Sequence, residues 1–132
     1  MKVLVATART QGERENDYHW AMEGELVRVG EVCGRDIADP GGGCGCGRGF
    51  AGLNSHRATT TARVAEVPLT RPEYVEAIRS SLQAQGWDPC ACCSTDEADD
   101  LAEYVATWPV GTIVERRLDI LRVRALPDEL AA

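Results

Sequence analysis

At 132 residues, with 44% apolar and 27% charged residues, the chain has the length and composition of one folded domain around one core. Its net charge of −7 and pI of about 4.8 argue against duplex DNA as the main partner, because affinity for the phosphate backbone comes from a basic surface. No stretch approaches the roughly 20 apolar residues of a membrane-spanning helix, which argues against a membrane partner.

The start, Met1-Lys-Val-Leu-Val-Ala-Thr-Ala8, has too short an apolar run for a signal peptide, and Arg9 and Arg14 follow at once. It reads as a first strand over 2–7, buried on both faces because Val3, Leu4 and Val5 are consecutive. The expected compartment is therefore the cytoplasm. Thiols stay reduced there, so the six cysteines point to metal or redox chemistry before disulfides. Export would instead suit three bridges.

Residues 9–17 are polar and read as an exposed loop. Residues 18–23 fit either one helical turn capped by Asn16 or Asp17, or a strand with Tyr18, Trp20 and Met22 on one face; Gly24 ends both versions. Glu25–Val32 is rich in β-formers and delivers Cys33 at its end. A glycine-rich loop then runs from Cys33 to His56. Residues 57–67 follow as a strand, with Thr59, Thr61, Arg63, Ala65 and Val67 on one face. Neither face is strongly apolar, so a half-exposed strand is expected.

Thr70 and Glu73 form a capping box with Pro72 in the first turn, and Val75, Ile78 and Leu82 make the apolar stripe of a helix that Gly86 ends. Residues 87–93, Trp-Asp-Pro-Cys-Ala-Cys-Cys, read as a second cysteine loop. Ser94 and Glu97 open a second helix, with Asp96 in its first turn and Ala98, Leu101, Val105 and Trp108 as its stripe. Pro109 and Gly111 stop it. Residues 112–124 are one bulged strand or two strands, because the alternation breaks near Arg116 and Arg117. The expected fold is one α+β domain over 1–126, with a mixed or antiparallel sheet, two helices packed on one face and a Gly/Cys-rich metal-binding loop. Residues 127–132 are expected to be a loose C-terminal tail.

The segment 33–56 holds Cys33, Cys44, Cys46 and His56 among most of the local glycine. It can bury little apolar surface, so order there calls for another source of stability. A structural zinc takes four Cys or His ligands in a tetrahedron. Two sets compete. The local set is Cys33, Cys44, Cys46 and His56. The other joins Cys44-Gly-Cys46 to Cys90-Ala-Cys-Cys93. The local set is preferred, since a short loop costs less entropy to close. Glycine beside Cys44 and Cys46 lets backbone wrap an ion and aim N–H groups at sulfur. For Cys92 or Cys93 alone, packing as a small apolar residue is the better reading.

Other chemistry is weaker. Gly41–Gly49 with Arg48 could cradle an anion, but no Gly-Lys-Ser/Thr follows and no helix opens after it. Cys90-Ala-Cys-Cys93 precedes a helix and could carry a lowered thiol pKa, yet a thioredoxin-type motif would follow a strand in a βαβ unit. His19 with Glu23, or His56 with Arg57, could serve acid–base chemistry, but no triad and no nucleophile elbow is visible. Tyr18, Trp20 and Met22 beside Arg9 and Arg14 suit a contact surface as well as a core edge. Thirteen of the fourteen basic residues are arginine; codon usage of a GC-rich genome explains this more simply than selection for anion contacts.

Glu25–Cys33, then Gly42-Gly-Cys-Gly-Cys-Gly-Arg-Gly-Phe-Ala-Gly-Leu53, then Ser55-His-Arg-Ala-Thr-Thr-Thr-Ala62 resemble a small actinobacterial family of unknown function. The likeness covers roughly residues 1–65 and, more loosely, Trp108–Leu118. It implies a source and no mechanism. The expectation is a cytoplasmic zinc-stapled domain that contacts a protein or RNA. The alternative is a small zinc- or thiol-dependent enzyme.

Overall fold

The computed structural model describes residues 1–11, 21–29, 34–37, 59–84, 86–89, 91–117 and 120–130. In chain order the elements are β1 (Lys2–Ala6), β2 (Gly34–Asp36), β3 (Thr59–Glu66), α1 (Arg71–Ala84), β4 (Trp87–Pro89), α2 (Ala91–Val105), β5 (Ile113–Arg117), β6 (Ile120–Ala125) and α3 (Pro127–Leu130). Four strands form an antiparallel sheet in the order β1-β3-β5-β6, and β2 pairs with β4 in a separate antiparallel ladder. Helix α2 packs on β1, and α1 packs on α2 and β4. The fold is α+β, with an antiparallel sheet.

The apolar run Val3-Leu4-Val5 explains why β1 behaves as an inner strand although it is first in the sheet order. Its second edge is covered by the chain at 24–27. Val27 N–H donates to Leu4 O at 2.8 Å, Ala6 N–H to Glu25 O at 2.9 Å and Gly24 N–H to Ala6 O at 2.8 Å. Leu26 bridges Val5, and Val3 and Leu4 are both fully buried. The full strand expected at 25–32 is reduced, among the described residues, to this bridge and its flanks. Val27, Arg28 and Val29 are nonetheless buried. Past β1 the chain resumes its pairing with β3, where Gln11 and Thr59 exchange hydrogen bonds of 2.9 and 2.6 Å.

β3 departs from the expected half-exposed strand. Thr60, Ala62 and Val64 are fully buried, because β3 lies between β1 and β5 and faces the core with small residues. Composition hides this: threonine and alanine look indifferent in a sequence yet fill a closely packed sheet. The break near Arg116 resolves into a hairpin of β5 and β6, with a register shift at Ile113 and Val114. Leu121 packs against the core, whereas Ile120 and Val123 are exposed on this edge strand.

The capping box at α1 is present. Glu73 N–H donates to Thr70 Oγ1 at 3.3 Å, and Thr70 N–H donates to the Glu73 carboxylate at 3.0 Å. Tyr74, Ile78 and Leu82 are the buried stripe, at i, i+4 and i+8, and Val75 is half-buried. The backbone and side-chain hydrogen bonds from Thr70 hold the Glu73 carboxyl below its ordinary value of 4.5. The folded-state pKa is lowered, so this stabilisation is complete above about pH 4.5 and is lost as pH falls through the lower folded value. Thr70→Ala should cost about 1 kcal/mol in urea unfolding at neutral pH, and the gap to the parent protein should narrow in acid.

Two local expectations change in the next stretch. The expected loop over 87–93 is replaced, among the described residues, by β4 at Trp87–Pro89 and by α2, which starts at Ala91, three residues before the expected Ser94 cap. Ser94 and Glu97 therefore lie inside the helix. Alanine at the first position and β4 pairing with β2 favour the earlier start. The expected α2 stripe is in place, with Ala98, Leu101 and Val105 buried and Trp108 packed against the core. Lys2 Nζ donates to Trp108 O at 2.7 Å and ties β1 to the end of this unit.

The return to β5 is a tight turn. Thr112 Oγ1 donates to Pro109 O at 2.7 Å, and Gly111 N–H donates to Val64 O at 2.8 Å. Gly111 has φ +98°, and a Cβ there would stand 3.4 Å from Pro127 Cγ, which is ordinary contact. Conformation, not crowding, therefore demands glycine. Gly111→Ala should destabilise by roughly 1–2 kcal/mol, read as a lower urea midpoint. Where the sequence suggests a loose tail, Pro127–Leu130 make one helical turn, with the Glu129 carboxylate accepting from Leu126 N–H at 2.8 Å.

Candidate functional site

The structure defines the anchors of the cysteine segment. Cys33, Cys44, Cys46, His56 and Cys90 lie outside the described residues. Cys93 is the third residue of α2. His19, Tyr18, Trp20, Arg14, Arg48 and Arg57 also lie outside the described residues. Of the suggested contact surface, Met22 and Arg9 are exposed, while Ala21 between the aromatics and Met22 is buried.

The first anchor is the β2–β4 ladder. Gly34 pairs with Pro89, Arg35 with Asp88 and Asp36 with Trp87. Ile37 N–H extends the ladder by donating to Gly86 O at 2.9 Å. Gly86, with φ +89°, follows α1, and its N–H donates to Gln83 O at 3.0 Å. It turns the chain from the helix into β4. The Asp88 carboxylate accepts from Gln83 Nε2 at 3.4 Å and lies 4.0 Å from Arg79, which fixes β4 against α1. The sequence reading placed β2 inside one long loop. Three residues beside a glycine run carry no periodic signal, and only the partner strand shows the pairing.

The second anchor is the head of β3. Thr59 pairs with Arg117 and bridges Gln11, so the segment 38–58 re-enters the fold as an inner strand of the main sheet. A buried polar group underlies this end. Thr10 and Thr60 hydroxyls are 2.9 Å apart, and Thr10 Oγ1 also bonds the Ala21 backbone. Arg116, opposite Thr60, donates from Nε to Val29 O at 2.9 Å. Arg28 is buried as well. Gln11, Thr59 and Arg117 thus stand together at the end of the sheet from which 12–20 and 118–119 depart and at which 38–58 enters. Sequence reasoning missed Arg28 and Arg116. The available signals were the broken alternation at Arg116 and an arginine enclosed by Val27 and Val29.

A family model described as "Domain of unknown function" (DUF7715) matches residues 1–127. The chain belongs to this family. No curated protein and no solved structure matches it. Membership agrees with the resemblance to an uncharacterised family. Among the described residues, no three of His, Cys, Asp or Glu form a group that could hold a metal ion, and no helix is long and apolar enough to cross a membrane.

Proposed function

We propose that the domain is a zinc-stapled interaction module of the cytoplasm, in which a metal held by the cysteines orders the segment 38–58 for contact with a protein or RNA partner. One observation carries the reading. Gly34–Asp36 and Thr59 are held by separate ladders at the two ends of a segment that offers glycine, cysteine and a histidine but little apolar surface. A chain fixed at both ends has lost part of its freedom already, so a small number of metal bonds suffices to order the remainder. Four thiolate or imidazole ligands from the protein make a closed, structural site; three and an open position make a catalytic one. The enzyme reading is the second choice, because no acid–base pair accompanies the cysteines in the sequence.

Cobalt substitution separates the two. Co(II) in the zinc position gives a visible spectrum that reports thiolate ligation and coordination number. The module predicts a tetrahedral, thiolate-rich spectrum unchanged by added imidazole or cyanide. A spectrum that shifts on adding either ligand would show an open position and favour the enzyme.

A further inference from the structure

We infer that the outer edge of β6 takes an extended strand from a partner protein, one whose side chains alternate acidic and apolar. This surface is independent of the metal staple, because it lies on strands of the main sheet.

β6 is the last strand of that sheet and pairs with β5 on one side. Among the described residues no segment pairs with its second edge, whereas the corresponding edge of β1 is covered by residues 24–27. An edge strand turns N–H and C=O groups outward, where they template a further strand. β6 reads Ile-Leu-Arg-Val-Arg-Ala and has no proline to block such pairing. Its apolar side chains remain open to solvent, with Ile120 59% and Val123 37% exposed.

Register sorts the side chains by face. Thr61, Glu115 and Arg122 form one row across three strands, and Arg117 lies opposite Ile120 in the next. Arg63 shares this face, two residues along β3 from Thr61. Arg63, Arg117 and Arg122 are exposed. Across β3, β5 and β6 the one acid on this face is Glu115, and Arg124 stands 3.7 Å from it. A chain of net charge −7 thus carries a basic sheet face. On the other face of β6, Leu121 and Val123 lie opposite Arg116 and Val114. An added strand therefore meets arginine on one side and aliphatic groups on the other, which carboxylates and apolar side chains match in turn. The register shift leaves Arg124 without an opposite residue, so Ile120–Val123 is the regular run that accepts the strand.

Other occupants fit this edge less well. Two copies of β6 paired antiparallel would bring Arg122 and Arg124 of both chains together, and like charges across a ladder destabilise it. Single-stranded RNA is held by bases stacking on aromatic side chains, and β3, β5 and β6 carry none.

The test uses a fluorescent peptide of alternating Glu and Val, about eight residues long to match an ordinary strand. Anisotropy at low salt should show binding that weakens as salt screens the charges. A peptide of the same composition with Glu and Val in two blocks, and an alternating Lys and Val peptide, should not bind. Arg122→Glu should weaken the complex by roughly fivefold, since one cross-strand attraction becomes a repulsion. Arg71→Glu, the same charge change on α1, should stay near the parent value. In the parent protein, which needs no variant to fold, nuclear Overhauser contacts from the peptide should fall on Ile120–Val123. No binding of the alternating peptide at millimolar concentration would overturn the proposal. Equal binding of the block peptide, equal losses in the two arginine variants, or contacts away from β6 would do the same. A peptide-free dimer joined through β6 would give the edge to a second copy, and tighter binding of oligouridine on this face would give it to RNA; either result overturns the partner strand.

Discussion

Arg116→Ala should destabilise the domain by roughly 3 kcal/mol, seen as a fall in the urea midpoint. Arg116, the fourth of the five residues of β5, is 1% exposed, and its Nε–H holds Val29 O at 2.9 Å across 87 positions of sequence. Two losses add in the alanine variant. The long side chain leaves a void beside Thr60 and Val114, and Val29 O loses a charged donor worth about 1.5–3 kcal/mol. Burying the guanidinium is itself costly, which sets an opposing term. Arg116→Met separates these effects. It keeps most of the volume and removes both the buried charge and the hydrogen bond, so its net cost should be near 1 kcal/mol. An alanine variant as stable as the parent would show that the contact with Val29 does not hold the 27–29 segment to the sheet.

The sequence shows most of the frame and little of the ladder that frames the cysteines. Helix α1 is legible because Thr70, Glu73 and the stripe through Ile78 and Leu82 agree with one another, and the structure adds Tyr74 one turn earlier. The turns at Gly24, Gly86 and Gly111 are legible because all three need positive φ. β3 is underestimated because burial there depends on neighbours at both edges, which small residues do not announce. β2 and β4 are illegible for a related reason. Each is three residues long, too short to carry a periodic signal; their pairing depends on where α1 delivers the chain. The buried arginines defeat the sequence because charge normally predicts exposure. The candidate ligands Cys33, Cys44, Cys46, His56, Cys90 and Cys93 come from sequence spacing alone, and the structure contributes the ladders at Gly34–Asp36 and Thr59.

Replacing Cys44 and Cys46 together with serine is expected to remove the metal and lower the thermal midpoint by about 10 °C. Serine keeps the size and loses the thiolate, so the change acts on ligation more than on packing. Structural zinc contributes about 10–16 kcal/mol to peptides that have no other core. This domain has one: Val3, Leu4, Val64, Leu101 and Val114 are fully buried. Loss of the staple should therefore loosen the segment and its anchors without unfolding the sheet. Roughly 3 kcal/mol would be felt by the whole domain, and at this chain length that corresponds to the stated shift. The urea midpoint should follow, and far-UV circular dichroism should stay close to the parent's. An unchanged midpoint would return Cys44 and Cys46 to the status of packing residues.

The most direct test of the metal staple is the mass of the protein, purified under reducing conditions, in its native and acid-denatured states, with free thiols counted on the same sample. The account predicts one zinc per chain in the native state, lost on acidification, with all six thiols then free. A native mass equal to the denatured mass, with six free thiols, would contradict it.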